Sequence, residues 1–160
     1  MALEKQVWDI MDLQYETITP ETPLAEACRV LGLFGKEKPG MPGLVVQRSS
    51  GEYLGFLTVK DCLGYLNDLY KQSKKGDREE DWLDRLRGHD PEETLITVND
   101  ALVHLEVSVS PNHKMIDLLQ VLEDLGVDFI PVADGEKIVG VVRSTAILAE
   151  IAPKPRYQVY

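Results

Sequence analysis

The apolar and polar positions of this chain follow the same order twice. The first copy opens with Val7-Trp8-Asp9-Ile10-Met11 and the second with Val98-Asn99-Asp100-Ala101-Leu102. Further on, Thr17-Ile18-Thr19-Pro20 in the first copy is matched by Ser108-Val109-Ser110-Pro111 in the second. The shift is 91 residues in both cases, since 98 − 7 and 108 − 17 are equal. Such a constant shift indicates an internal repeat, in which each copy is one supersecondary unit.

An amphipathic helix is predicted next in each copy. Its apolar positions have the i, i+3, i+4, i+7 spacing that gives a helix one apolar face. They are Leu24, Ala27, Cys28 and Leu31 in the first copy and Met115, Leu118, Leu119 and Leu122 in the second. Gly126 then stands where a left-handed residue commonly ends a helix. The pattern therefore predicts that each helix buries one face.

A β-hairpin is predicted after the helix in each copy. In the first copy, strands Leu44–Val46 and Tyr53–Leu57 enclose a polar turn. In the second, strands Phe129–Ala133 and Lys137–Val142 enclose Asp134-Gly135, a strong signal for a tight turn. The two hairpins align with a shift of 85 residues instead of 91, because 140 − 55 relates their glycines. A loop-like insertion at residues 34–40 of the first copy accounts for the difference.

Each copy closes with a predicted helix, which runs from Asp61 to about Tyr70 in the first copy and starts at about Ser144 in the second. The order strand, helix, strand, strand, helix predicts an α+β fold. A copy of about 60 residues would bury only ~60% of its unfolded surface by itself. We therefore expect two pseudo-symmetric halves whose sheets face each other across a cleft. We assign residues 1–70 to the first repeat, 71–97 to a linker, 98–152 to the second repeat and 153–160 to a tail.

The linker is strongly charged, with fourteen charged side chains between Lys71 and Glu93. Inside it, Trp82, Leu83 and Leu86 form a short apolar stripe. This stripe is expected either to pack on the rest of the chain or to bind another chain.

Composition narrows the possible functions. The chain has 160 residues, and its net charge of -10 argues against non-specific nucleic-acid binding, which depends on neutralising phosphates. No apolar run approaches the ~20 residues of a membrane span, and the start of the chain lacks a signal-peptide pattern, so a cytoplasmic protein is expected. Cys28 and Cys62 lie among apolar residues and lack CxxC partners, which favours buried thiols over a disulfide or a metal pair.

The stretch Gly55-Phe56-Leu57-Thr58-Val59-Lys60-Asp61 carries the candidate chemistry. Its apolar part predicts the end of a buried strand, and its polar part predicts the start of a helix. A helix N-terminus favours an anion, and threonine and lysine add donors for a phosphate. A carboxylate three residues after the threonine can accept hydrogen bonds from a ribose diol. The alternative is a strand followed by a threonine-capped helix with no ligand.

In this order, the motifs resemble the cystathionine-β-synthase (CBS) domain. The shared features are Val-x-Asp-Ile-Met, Thr-Ile-x-Pro, an amphipathic helix, a hairpin and Gly-x-x-Thr-x-x-Asp, and the chain looks like a free-standing tandem pair, or Bateman module. The resemblance covers nearly the whole chain except residues 71–93 and the segment after Ile151. It implies a homodimeric regulatory module that carries no catalytic activity of its own.

The resemblance also implies a ligand site in the inter-sheet cleft. The ligand would be AMP, ADP, ATP or S-adenosylmethionine. Thr58 and Lys60 match phosphate ligands, and Asp61 matches the carboxylate that binds ribose hydroxyls. The positions that match the surroundings of the base are Thr17, Ile18, Leu44 and Val45.

In the second repeat, the motif departs from the family pattern. Arg143 stands in place of Thr58, and Ala146 stands in place of Asp61. Alanine cannot accept a hydrogen bond from ribose, so at most one well-formed nucleoside site per chain is expected. A degenerate second site would retain Ser108, Arg143 and Ser144.

Two functional hypotheses follow. In the first, the chain binds an adenosine-containing ligand and controls a partner protein. In the second, it keeps the fold without a ligand and acts as an interaction scaffold. An enzyme is not expected, because His89, His104 and His113 are scattered and neither a catalytic pair nor metal-ligand spacing is evident.

Overall fold

The computed structural model describes residues 2–37, 43–73, 81–88 and 95–152. The α-helices are α1 (Val7–Ile10), α2 (Leu24–Glu37), α3 (Val59–Ser73), α4 (Asp81–Arg87), α5 (Val98–Ala101), α6 (Leu118–Leu125) and α7 (Ser144–Ile151). The strands are β1 (Thr17–Ile18), β2 (Gly43–Gln47), β3 (Tyr53–Thr58), β4 (His104–Leu105), β5 (Phe129–Asp134) and β6 (Lys137–Arg143). The predicted α+β fold with two repeats is confirmed. Within the described ranges, no helix is both long and apolar enough to cross a bilayer.

The strands form one sheet around each hairpin. The first sheet has the order β1-β2-β3-β4, in which β1 is parallel to β2 and β4 is antiparallel to β3. The second sheet consists of β5 and β6. Single bridges extend its two edges, with Val109 parallel to Val132 and Asp12 antiparallel to Val141. Each hairpin is therefore flanked by its own repeat on one side and by the other repeat on the other.

The two repeats exchange their first helices. Val7 of α1 is fully buried in the core formed by β5, β6 and α6, whereas Val98 of α5 is buried in the core of the first repeat. Backbone hydrogen bonds hold both helices in place, from Val7 N–H to His113 O at 2.8 Å and from Val98 N–H to Thr22 O at 2.9 Å. Neither core is complete without a segment of the other repeat, so we expect the halves to fold together.

The first sheet is buried on both faces. Leu44 and Leu57 pack into the core beneath α2 and α3, whereas Val45 and Phe56 belong to the core of the second repeat. The Phe56 ring meets the edge of the Phe129 ring, with centroids 5.4 Å apart. This contact joins β3 of one half to β5 of the other, as expected for facing sheets.

Several boundaries differ from those predicted. Helix α2 continues to Glu37, through the first part of the segment expected to be a loop, while residues 38–40 lie outside the described residues. Helix α3 begins two residues before Asp61 and continues to Ser73, beyond the predicted end of the first repeat. The second hairpin turns at Gly135-Glu136, because Asp134 still pairs with Lys137. The tail 153–160 lies outside the described residues.

The apolar stripe of the linker packs on its own chain. It lies on α4, where Leu86 is buried in the first-repeat core and Trp82 packs against that core. The Trp82 ring lies 6.2 Å from the Tyr70 ring of α3, in an edge arrangement. Of the two alternatives for this stripe, the structure has the intramolecular one.

Candidate functional site

The motif at the start of α3 forms a reciprocal helix cap. The Thr58 hydroxyl oxygen accepts a hydrogen bond from the Asp61 N–H at 3.1 Å, and Oδ2 of Asp61 accepts one from the Thr58 N–H at 2.9 Å. This is the capping-box arrangement, which satisfies two backbone donors at once. The helix cap that the alternative predicts for these residues is therefore present. The second carboxylate oxygen of Asp61 takes no part in the cap.

That second oxygen faces His104. The imidazole Nε2 lies 3.2 Å from Oδ1 of Asp61, and both side chains are largely buried, at 14% and 11% exposure. Strand β4 positions the histidine opposite Phe56, whose ring it stacks on at 4.5 Å with the planes only 6° apart. Asp61 is thus held by its own helix cap on one side and by the second repeat on the other.

A cavity of about 300 Å³ opens beside this pair. Its described lining comes from α3, from α5 and the segment that follows it, and from the end of α6. The residues are Lys60, Asp61, Gly64, Tyr65, Asp68, Asp100, Ala101, Val103, His104, Leu125 and Gly126. The volume is at the lower end of the range of small-molecule sites. Three carboxylates and one lysine give the described lining a net negative charge.

The side chain of Lys60, a residue of α3, reaches the end of α6. A methyl group placed on Gly126 would lie 3.7 Å from the Lys60 ammonium nitrogen. Gly126 ends α6 in the left-handed conformation, with φ of 66°. The negative end of the α6 dipole favours a cation at this position. The dipole of α6 therefore stabilises the Lys60 ammonium group at this position. The side chain is exposed and can also reach a ligand in the cavity.

The structure separates the other positions that the resemblance implied for the first site. Thr58 is buried beneath the cap, at 6% exposure. Leu44 and Val45 are neighbours on a strand, so their side chains point to opposite faces, and each is fully buried in a different core. Thr17 is exposed on β1 and Ile18 packs on the first-repeat core. The described lining of the cavity includes Lys60 and Asp61 of the predicted set.

In the second repeat, the residues at the start of α7 make different contacts. Arg143 pairs with Asp12, with Nη2 and Oδ2 2.8 Å apart. The Ser144 N–H donates to the backbone oxygen of Asp128 at 2.8 Å. In both repeats, the polar side chain at the start of the closing helix contacts a residue that follows the first helix of the other repeat. Here, however, the pair consists of an arginine and an aspartate.

The residues of the predicted second site lie in different places. Ser108 lines a cleft of about 680 Å³ between the two hairpin turns, together with Tyr53, Glu106 and Lys137. Ser144 lines a separate groove between α6 and α7. The two serines therefore do not share either of these pockets.

Sequence reasoning missed the contact of His104 with Asp61. His104 lies on the edge strand β4 and packs against Phe56. The repeat aligns it with Leu13, which is 68% exposed and gives no hint of a polar partner. The contact depends on the pairing of β3 with β4, which joins residues more than 40 positions apart along the chain.

Comparison with known families is consistent with this architecture. The family model of the CBS domain matches residues 7–68 and 96–153. The two matches together span most of the chain, so this chain belongs to the CBS domain family and contains the domain twice, as the resemblance implied.

Three solved structures share the fold at low sequence identity. An uncharacterized conserved protein from Pyrococcus horikoshii is 17% identical, with 99% of this chain and 100% of that chain covered and a TM-score of 0.64. CBSX2 in complex with AMP is 18% identical, with 90% and 93% covered and a TM-score of 0.62. The cytosolic domain of the Mg²⁺ channel MgtE in complex with ATP is 14% identical, with 91% and 48% covered and a TM-score of 0.61. No curated protein matches this chain by sequence.

Proposed function

We propose that this chain is a regulatory module that binds an adenine nucleotide in the cavity at the start of α3. The observation that carries the proposal is the position of Asp61, which lines the cavity together with Lys60 and His104 at the N-terminus of α3. Structures of two proteins with this fold are described as complexes with AMP and with ATP, which supports a nucleotide as the class of ligand.

In the proposed complex, Oδ1 of Asp61 accepts hydrogen bonds from the ribose hydroxyls. The imidazole of His104 contacts that oxygen, so the nucleotide must share the carboxylate with the imidazole or displace it. Lys60 and the first backbone N–H groups of α3 would donate hydrogen bonds to the phosphate. Because Asp61 is also part of the helix cap, ligand binding acts directly on the first turn of α3.

The charge of the cavity favours ligands with few negative charges. Asp61, Asp68 and Asp100 outnumber Lys60 in its lining. Each further phosphate adds repulsion from these carboxylates, so AMP or the cationic S-adenosylmethionine should bind better than ATP. One site per chain is proposed, because Arg143 in the second repeat is already paired with Asp12.

We also propose a homodimer that packs through the outer helices. Leu33 on α2, Leu63 on α3, Leu119 on α6 and Leu148 on α7 are all at least 40% exposed. The same two helices of each repeat thus present apolar side chains, as expected if a second copy covers them. Control of a partner protein would follow from a ligand-dependent change at α3.

The second candidate function is a ligand-free scaffold. The observation that favours it is that both carboxylate oxygens of Asp61 already have partners within the chain, in the cap and at His104. In that case, Thr58 and Asp61 serve only to start α3.

Calorimetric titration with AMP, ADP, ATP and S-adenosylmethionine distinguishes the two functions. We expect saturable binding near one ligand per chain, with ATP the weakest of the nucleotides. The matched control is 2′-deoxy-AMP, which lacks one of the hydroxyls that Asp61 would bind. A lost hydrogen bond to a charged group is worth about 1.5–3 kcal/mol, so the deoxy compound should bind roughly ten- to a hundredfold more weakly. A folded protein that binds none of the four ligands would favour the scaffold.

A further inference from the structure

The imidazole of His104 is held in a fixed position beside the candidate cavity. Strand β4 pairs His104 with Phe56, so the two rings come from facing positions on neighbouring strands. They are stacked, with centroids 4.5 Å apart and planes 6° apart. At the edge of the imidazole, Nε2 lies 3.2 Å from Oδ1 of Asp61. Contacts on one face and on one edge therefore fix both the position and the orientation of this ring.

The second face of the imidazole is the one that a ligand can reach. Phe56 covers the first face, is fully buried and does not belong to the described lining of the cavity. His104 does line the cavity, and its side chain is 14% exposed. Strand β4 is the edge of its sheet, so the described sheet has no further strand beyond it. The part of the ring that lines the cavity is therefore the side turned away from Phe56.

The lining around this ring combines open space with apolar surface. Gly64 lies about one helical turn after Asp61, and a Cβ placed on it would meet no heavy atom within 4 Å. Further apolar surface in the lining comes from Tyr65, Ala101, Val103 and Leu125. A flat group with apolar faces and polar edges, such as a nucleobase, fits these surroundings.

We propose that His104 binds the base of the nucleotide, which stacks on the face of the imidazole opposite Phe56. This inference rests on the proposed function, and it adds a residue of the second repeat to the site at Asp61. The imidazole stays in place, so the ribose shares Oδ1 of Asp61 with Nε2. Because the ribose is bonded directly to the base, stacking on His104 brings its hydroxyls beside the neighbouring carboxylate.

The fixed ring lowers the cost of binding the base. Ordering a mobile side chain reduces affinity, whereas Phe56 and Asp61 already order this imidazole. Removing an aromatic side chain on which a base stacks weakens binding roughly five- to 150-fold. Every nucleobase has a face that can stack in this way. The contact therefore favours nucleotides over phosphates that lack a base.

The competing role for His104 is to hold Asp61 through the hydrogen bond alone. An ionised carboxylate only accepts hydrogen bonds, so Nε2 is the donor in that role. Two substitutions separate the roles. His104→Phe keeps an aromatic face and removes the donor, whereas His104→Gln keeps an N–H donor and removes the ring.

The test is the AMP affinity of wild type and both variants, measured by calorimetry after urea unfolding has shown that each is folded. We expect His104→Gln to bind AMP at least about fivefold more weakly than wild type, and His104→Phe to bind it more tightly than His104→Gln. A smaller loss in His104→Gln, or affinity in that variant equal to or above that of His104→Phe, would overturn the proposal. His113→Gln is the matched control, since His113 is exposed and outside the described lining, and its affinity should change little.

Proton NMR of wild type gives a test that needs no variant. The ring current of a stacked adenine should shift the Hδ2 and Hε1 resonances of His104 upfield, and nuclear Overhauser effects should connect them to protons of the base. AMP binding without these signals would overturn the stack but not the nucleotide site. Absence of AMP binding to folded wild type would overturn the nucleotide site, and the stack with it.

Discussion

Gly55→Ala is expected to destabilise the protein by about 3 kcal/mol and to separate β4 from β3. A Cβ at Gly55 would lie 2.2 Å from the backbone oxygen of His104 and 3.1 Å from its carbonyl carbon. Both atoms belong to the strand that pairs with β3, so neither can give way as a flexible side chain would. Overpacking of this kind typically costs 1–3 kcal/mol. Since β4 holds His104 against Asp61, the candidate site should change as well.

Urea unfolding measures this loss directly, from the midpoint and the slope. Gly32→Ala is the matched control, because a Cβ there meets nothing within 4 Å and the glycine lies inside α2. Alanine should stabilise that helix by about 0.5–1 kcal/mol. If Gly55→Ala were as stable as wild type, the close approach of β4 to β3 would be wrong.

Phe56→Ala is expected to destabilise the protein by about 3–5 kcal/mol, the usual cost of removing a buried aromatic ring. The ring is fully buried and contacts aromatic rings on two other strands. It lies on β3, stacks on His104 of β4 and meets the edge of Phe129 of β5. Its loss would leave a cavity where the two halves meet, and it would remove the surface that holds the imidazole.

Phe56→Leu separates volume from ring stacking. Leucine keeps most of the buried volume, so the free energy of unfolding should fall by less than about half as much as in the alanine variant. The comparison uses thermal or urea unfolding of both variants. Equal and small losses for leucine and alanine would contradict the position of this ring between the halves.

Much of the fold follows from local patterns that the sequence displays. The spacing of Leu24, Ala27 and Leu31 predicts the buried face of α2, and all three are buried. The exchange of α1 and α5 between the repeats could not be predicted in the same way. Each of these helices has only four residues, and long-range backbone hydrogen bonds such as that from Val7 to His113 determine its position.

In the candidate site, too, local sequence predicts one feature, and long-range pairing determines another. Thr58 and Asp61 are three residues apart, which predicts a helix cap as well as a ligand pair, and the cap is present. The partner of Asp61 could not be predicted, because His104 reaches it only through the pairing of β3 with β4. The burial of Leu44 and Val45 on opposite faces of β2, by contrast, could be predicted, because side chains alternate along a strand. At most one of the two can therefore face a given ligand.

The central claim is that the chain has one nucleoside site, in which Asp61 of the first half binds the ribose. Comparing Asp61 with a carboxylate of the other site tests this claim most directly. AMP affinity is measured by calorimetry for wild type, Asp61→Asn and Asp12→Asn, after urea unfolding has shown that each is folded. Asp12 pairs with Arg143 in the second half and is the matched control. We predict that Asp61→Asn weakens binding roughly ten- to a hundredfold, as expected for a lost charged hydrogen bond, while Asp12→Asn changes it little. Unchanged binding in Asp61→Asn, or an equal loss in Asp12→Asn, would contradict the account.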